Sequence, residues 1–537
     1  MKVRFCGAVG QVTGSMFELL DEKSGVHGLV DCGSVQGGGE SAPRSDASGW
    51  PFEPTRLQFV LLTHAHLDHC GELPRLVRDG FDGVIYCTPV TRALVEVSLR
   101  DGARHSASYT SGDVDRLMES QRWNTAQQPD AGGPAWPLTL ADGTALPLEV
   151  NMLNSSHLMG AVGYAVSWRS GRSRHGIVFY GDSGPRQSVD GAPGEDAIER
   201  RKREASLAYR PNDRFDPDAA GWKSHCVVLE STYGERVDES AVPHFQRLEA
   251  LHHLLKRTAN DGRTLLIPTF AIGRTQDVLM DIALLRSRLK GLERLRVQCP
   301  AEKSLGAQVG EVMVRHCGAL DHDWLRTLSI PGGIGPVPFF QAGLGHRWRF
   351  LSGDSGRVRH KWLENKVRAR PGMYRSEHGV PTVIVGPSGM GAGGRMAELL
   401  EHARTCARTT VAMVGYACAD SPLGRLRDDS RAMDGPRPVA CEVVSLKGYG
   451  GHAFPSQLAS LAFGALPPDG EDGLPAMSSV QSPTMTFLVH GEDWQRERLR
   501  EYLHTQAAAR GMQADIRLPG TEMSWYDLDV KPVRRRG

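Results

Sequence analysis

The chain has 537 residues, more than one ordinary hydrophobic core can organise, so two or more structural units are expected. Hydrophobic residues at 40% and charged residues at 23% are ordinary for a soluble globular protein, and a net charge of +1 neither supports nor excludes a nucleic-acid partner. Ten cysteines stand singly with no Cys-x-x-Cys pair, no apolar run approaches the ~20 residues of a membrane span, and the opening residues lack signal-peptide character; disulfide scaffold, Cys-rich zinc module and membrane protein are disfavoured, and a cytoplasmic protein is expected.

In chain order, residues 3–5, 17–20 and 28–31 read as short strands between glycine turns, followed by an apolar strand over 57–62. Directly after it comes Thr63-His64-Ala65-His66-Leu67-Asp68-His69, four metal-capable side chains in six positions. Imidazole and carboxylate hold borderline divalent cations such as zinc. One ion takes only three or four ligands, so a knot this dense predicts two adjacent sites, the arrangement suited to phosphoester displacement. Residues 70–78 and 89–99 read as helices, with Thr91 as the expected cap of the second. Strands return at 148–153, 161–168 and 177–180, and the charged, Pro/Gly-broken stretch 184–222 reads as an insertion or long loop.

After an apolar strand at 226–229 the pattern changes to alternating strand and helix: helix 244–259, strand 264–267, helix 272–289, strand 296–298, strand 382–385, helix 395–406 and strand 410–414. Such βα sequence predicts a mainly parallel sheet. The Trp-, Gly- and Arg-rich segment 321–370 has no readable pattern. From 439 the earlier style resumes, with strands at 442–446 and 484–489, a Gly/Pro/Ser-rich loop over 464–483, a helix over 493–510 and a basic tail at 531–537.

Five further residues share one setting, a His or acid at a strand end beside small residues: His157, Asp182, Glu230, His452 and His490. Strand ends beside glycine turns are where a sheet presents functional groups. Taken singly, each is also compatible with a turn former or a hydrogen-bonded structural residue.

Together, and in this order, these residues resemble the metallo-β-lactamase-fold nucleases of the β-CASP group, the RNA-processing branch that includes the polyadenylation endonuclease and its bacterial relatives. The resemblance extends through Gly7-Ala8-Val9-Gly10-Gln11-Val12-Thr13-Gly14-Ser15, Leu29-Val30-Asp31-Cys32-Gly33, the Ile267–Gln276 stretch, Pro387-Ser388-Gly389-Met390-Gly391-Ala392-Gly393-Gly394-Arg395 and Val414-Gly415-Tyr416. It implies an α/β (α+β) protein: an αββα sandwich built from residues 1–235 and 439–537, with a Rossmann-like β-CASP domain, 236–438, inserted between. It implies two zinc ions, with manganese as an alternative. His64, His66 and His157 would hold one, Asp68, His69 and His490 the other, and Asp182 would bridge them. Asp68, Asp182, Glu230 and His452 count as catalytic, with His452 as general acid partnered by Glu230. Arg274, Ser388, Gly389, Gly391 and Arg395 would contact substrate phosphates. Histidine at position 490 matches the RNA-directed members, so the implied activity is hydrolysis of single-stranded RNA, endonucleolytic, in a protein that dimerises by the same resemblance.

One departure lies beside the general acid, where Gly450-Gly451-His452-Ala453-Phe454 stands in place of the family's Ser-Ala-His-Ala-Asp. Two rival readings are a DNA-directed nuclease of the same fold and a non-catalytic RNA-binding or scaffold subunit; the complete ligand set disfavours the second.

Overall fold

A computed structural model describes residues 1–35, 49–120, 122–125, 134–185, 212–242, 244–292, 294–298, 381–391, 394–415, 420–432, 438–464 and 482–529, with 308, 309, 312, 316 and 417. The unreadable segment 321–370, the tail 531–537 and most of the 184–222 and 464–483 loops lie outside these residues. The chain divides into two compact units, one of Met1–Arg186, Tyr209–Ser240 and His452–Gly537, the other of Gln187–Ala208 and Ala241–Gly451.

The first unit contains two seven-stranded sheets. In one, Trp525–Asp527, Lys2–Phe5, Phe17–Asp21 and Val26–Val30 pair antiparallel in that order, and Phe59–Leu61, Val84–Tyr86 and Trp123–Asn124 extend the sheet in parallel. The other runs Ile516–Arg517, Met485–Val489, Ser224–Glu230, Ser173–Phe179, Val162–Ser170, Ala145–Asn154 and Trp136–Thr139. Side chains alternate across a strand. Val30, Phe59, Leu61 and Tyr86 of the first sheet therefore meet Val150, Tyr164, Ile177, Val228 and Phe487 of the second in one core. The opposite face of the second sheet, with Ala165, Val178, Val227 and Leu488, packs on helices Pro455–Phe463 and Asp493–Ala509 through Leu458, Phe463, Leu499 and Leu503. On the first sheet the alternate residues Leu29, Val60 and Ile85 are also fully buried. Helices Leu73–Arg78, Pro89–Gly102 and Ser111–Glu119 occur among the parallel strands, where crossovers cover the outer face. The layers are those of an αββα sandwich.

Three local expectations change. The helix read over 70–78 is two pieces, Leu67–Cys70 and Leu73–Arg78. The cap of Pro89–Gly102 is Thr88, whose Oγ1 accepts from Thr91 N at 3.0 Å, while the Thr91 hydroxyl donates to Gly160 O. Ser111–Glu119, unread in the sequence, begins at a capping box of Thr110 and Asp113.

The second unit holds a five-stranded parallel sheet in the order Arg296–Gln298, Thr382–Gly386, Thr264–Pro268, Thr409–Met413, Glu442–Ser445. Leu265, Ile267, Val383 and Val385 pack on helices His244–Asp261 and Arg274–Arg288; Leu266, Ile384 and Val411 pack on Gly394–Arg404 and Pro422–Arg431. Helices on both faces explain why these strands read as unbroken apolar runs. Because Glu442–Ser445 pairs with Thr409–Met413, the boundary expected at 438/439 falls upstream of a strand that belongs to this sheet.

Candidate metal centre

The Thr63–His69 segment leaves the end of strand Phe59–Leu61 and enters the short helix Leu67–Cys70, which folds against two other turns of the first unit. Ser15 N donates to Asp68 O and Cys32 N to His69 O, both at 2.8 Å. Gly33 is required at this crossing: a Cβ there would lie 1.7 Å from Asp68 O. His157 follows strand Ala145–Asn154, Asp182 follows Ser173–Phe179, Glu230 ends Ser224–Glu230, and His490 follows Met485–Val489. All four come from the same ends of strands in one sheet: the last three strands are adjacent and parallel, and Ala145–Asn154 runs the same way one strand further on, beyond Val162–Ser170.

They form two groups sharing one carboxylate. His66 Nδ1 lies 3.1 Å from His64 Nε2 and 3.0 Å from His157 Nε2, and Asp182 Oδ2 lies 3.8 and 3.6 Å from those two nitrogens. In the second group, His490 Nε2 is 3.4 Å from both His69 Nε2 and Asp68 Oδ2, while Asp182 Oδ1 is 3.3 Å from His69 Nε2. A tetrahedral ion with nitrogen ligands at 2.0–2.1 Å keeps them roughly 3.3 Å apart. The donor spacing and the His/carboxylate chemistry therefore fit two ions, one at each group. His64, His66, His157 and Asp182 form one potential metal-holding set, and Asp68, His69 and His490 another.

Buried partners orient the rings. The Asp31 carboxylate, itself fully buried, accepts from Thr63 N at 2.8 Å, from Thr63 Oγ1 and from His69 Nδ1 at 2.7 Å. Thr63 Oγ1 also lies 3.0 Å from His64 Nδ1. With the hydroxyl proton given to Asp31, His64 Nδ1 donates to Thr63, and the Nε2 lone pairs of both histidines turn inward. A carboxylate behind a ligating imidazole is a recurrent feature of metal sites. Thr232 Oγ1 sits 3.0 Å from His490 Nδ1, and Ser155 Oγ links His157 N to Asp182 O. Asp31 and His490 adopt φ of 60° and 52°, the left-handed region in which aspartate is tolerated and histidine enriched.

Burial and neighbouring charges act in opposite directions on the two groups. Burial holds His64 well below the usual imidazole range and pulls His66 down to about 4, so both are neutral and able to ligate. Burial would lower His69 too, but the Asp182 and Asp31 carboxylates outweigh it and hold the ring well above its ordinary value. Burial opposes the charge on Asp182, yet His490 and His69 keep it well below the usual carboxylate range.

Beside the pair, His452 Nδ1 meets Glu230 Oε2 at 2.6 Å, and Ser183 N donates to Glu230 Oε1. Ala453 N donates to Ser183 O, which fixes the His452 turn against the Asp182 strand end, and Tyr233 packs its ring against the imidazole. His452 Nδ1 is 3.9 Å from Asp182 Oδ2, and these two with Glu230 and His490 make a third set of convergent donors.

In the second unit, Ser388, Gly389 and Gly391 share the loop after strand Thr382–Gly386, with Gly391 N donating to Ser388 O. Arg274 opens helix Arg274–Arg288, where its mostly buried guanidinium pairs with Asp277 at 2.5 Å. Arg395 lies in helix Gly394–Arg404, and its side chain is outside the described residues. Sequence reading missed Asp31, Thr63 and Thr232 as supports; an acid between an apolar strand and Gly33 was the available signal for the first.

A family model described as the metallo-beta-lactamase superfamily matches residues 11–184. Ribonuclease TTHA0252 of Thermus thermophilus is 27% identical over 524 residues, covering 96% of this chain and 98% of that protein. Transcription termination factor FttA of Methanosarcina mazei is 27% identical over 446 residues, 79% of this chain and 57% of its own length. The FttA of Methanocaldococcus jannaschii is 24% identical over 519 residues, 92% of this chain and 67% of that one. The fold is metallo-β-lactamase-like, with an α/β unit inserted in the chain, and the protein is related to β-CASP ribonucleases.

Proposed function

We propose that this protein is a cytoplasmic, zinc-dependent ribonuclease that hydrolyses internal phosphodiester bonds of single-stranded RNA. The observation that carries the reading is Asp182, whose two oxygens face two separate groups of imidazoles, with a Glu230–His452 pair alongside. The name of the Thermus thermophilus relative supports an RNA substrate, as does histidine at position 490.

His64, His66 and His157 would hold one ion, Asp68, His69 and His490 the other, and Asp182 both. When bound, such a pair supplies positive charge to the phosphate oxygens and makes water a competent nucleophile at neutral pH. The chain's own contribution to bond breaking is His452. Glu230 engages its Nδ1, so the proton to be delivered is the one on Nε2. As the P–O bond to the leaving oxygen breaks, that proton passes to the oxygen, and the carboxylate keeps the ring in place to be protonated again. Ser388, Gly389 and Gly391 are the proposed phosphate contacts of the inserted unit.

The test is incubation of the full chain with 5′-labelled single-stranded RNA and the matched DNA, with and without chelator. Internal RNA fragments that vanish with chelator are expected. Labelled mononucleotides alone would replace endonuclease by 5′-exonuclease action, cleavage of DNA alone would overturn the substrate assignment, and an inert or chelator-resistant protein would end the proposal.

A further inference from the structure

Large exposed apolar side chains are rare among the described residues: Phe270, Trp494 and Trp525. Trp494 is the most exposed of them at 54%, and it lies in the first turn of helix Asp493–Ala509, four residues after His490. Four residues of chain span at most ~14 Å, so its Cα lies within a few nucleotides' reach of the metal groups.

The surroundings hold this helix start rigidly to the site. Gln495 Nε2 donates to Thr232 O, and Thr232 Oγ1 contacts the His490 ring. Gly491 N donates to Gln11 O, and His490 N to Ala8 O. The indole is pinned as well: Trp494 Nε1 donates to Glu492 Oε2 at 2.6 Å. That bond uses the ring's one polar group and leaves its apolar surface toward solvent. Glu492 is bonded to the indole, and the largely exposed Asp493 pairs with Arg496. With both carboxylates already engaged and the indole N–H used, what the ring offers a ligand is its apolar face.

We propose that Trp494 is a positioning residue whose indole stacks on a base of single-stranded RNA close to the scissile phosphate. The inference rests on the ribonuclease reading above and names a contact that fixes the strand's register on the first unit. Stacking on an aromatic platform tolerates any base, because every base has a π-face.

The experiment measures binding of a fluorescein-labelled oligouridylate to the full chain in chelator, so that cleavage cannot consume the probe. Wild type, Trp494→Ala and Trp494→Phe are compared, with the same oligonucleotide carrying one abasic position at each place in turn. Trp494→Ala should weaken binding about 5- to 150-fold, the range for one lost base–aromatic stack. Trp494→Phe should recover most of the loss, and the Ala penalty should disappear for the abasic position that removes the stacked base. The ratio of mutant to wild-type affinity should stay constant as salt is raised, since no phosphate charge is involved. Equal binding by wild type and Trp494→Ala, absence of RNA binding by wild type, or a penalty that persists at every abasic position would each overturn the stacking contact. The ribonuclease reading is judged separately, by cleavage with metal present.

Discussion

In an Asp31→Asn variant the backbone has no reason to move: residue 31 sits at φ 60°, which asparagine tolerates as aspartate does, and the side chains share a shape. The hydrogen-bond inventory does change. Asp31 Oδ1 accepts from Thr63 N at 2.8 Å and Oδ2 from His69 Nδ1 at 2.7 Å, while the Thr63 hydroxyl lies 3.0 Å from Oδ1 and 2.8 Å from Oδ2. An amide offers one acceptor oxygen and a donor NH₂ group. With the oxygen kept on the buried Thr63 amide, the NH₂ group faces His69 Nδ1. The conflict between two donors is relieved when His69 carries its proton on Nε2 instead. That nitrogen is the one 3.3 Å from Asp182 Oδ1 and 3.4 Å from His490 Nε2, where an ion would need a lone pair. Loss of a carboxylate behind a ligating histidine typically lowers metal affinity 10–100-fold, or about 1.4–2.7 kcal/mol. The His64, His66, His157 group keeps its donors, because the Asn oxygen still accepts from Thr63. Dialysis against graded chelator, with elemental analysis of ions per chain and circular dichroism to verify the fold, reads the effect. The variant should hold one ion where wild type holds two. Superimposable release curves, or equal weakening of both ions, would refute the assignment of Asp31 to the His69 side.

Three more substitutions probe different parts of the account. Asp182→Ala should abolish cleavage and bring metal content below two ions per chain, since both groups lose an oxygen; full activity or unchanged ion content counts against a shared carboxylate. His452→Ala should keep both ions yet cut about 10²–10⁴-fold more slowly, the typical worth of a general acid; ion loss on elemental analysis would make His452 a ligand instead. Gly33→Ala should destabilise the first unit by about 1–3 kcal/mol or more, because its Cβ meets the Asp68 backbone at 1.7 Å. A wild-type urea midpoint would contradict the packing of that turn on the cluster.

The donors around the centre were legible in the sequence because each is an unusual residue in a recognisable place. His64, His66, Asp68 and His69 crowd one turn, and Asp182, Glu230 and His490 close apolar strands. Their convergence was not legible from spacing, since His490 reaches the site only through parallel pairing of Met485–Val489 with Ser224–Glu230. Residues that act by supporting others leave weaker traces. Thr63 and Thr232 look like any strand-end threonine until their ring partners are known. Helix Pro455–Phe463 is short, and only Ser456, Gln457 and Ser460 mark its more exposed side against the buried Leu458, Ala459, Leu461, Ala462 and Phe463, which leaves a weak helical period. Thr88 and Thr91 both suit a cap; Pro89 at the first helical position selects the residue before it.

The central claim is that Asp182 joins two ions held by separate histidine groups. A crystal structure of the zinc-loaded protein with anomalous data at the zinc edge tests it most directly. Two peaks about 3.5–4 Å apart are predicted, both bonded to Asp182, one completed by His64, His66 and His157 and the other by Asp68, His69 and His490. A single peak, or a second one ligated by His452 and Glu230 in place of Asp68 and His69, would contradict it.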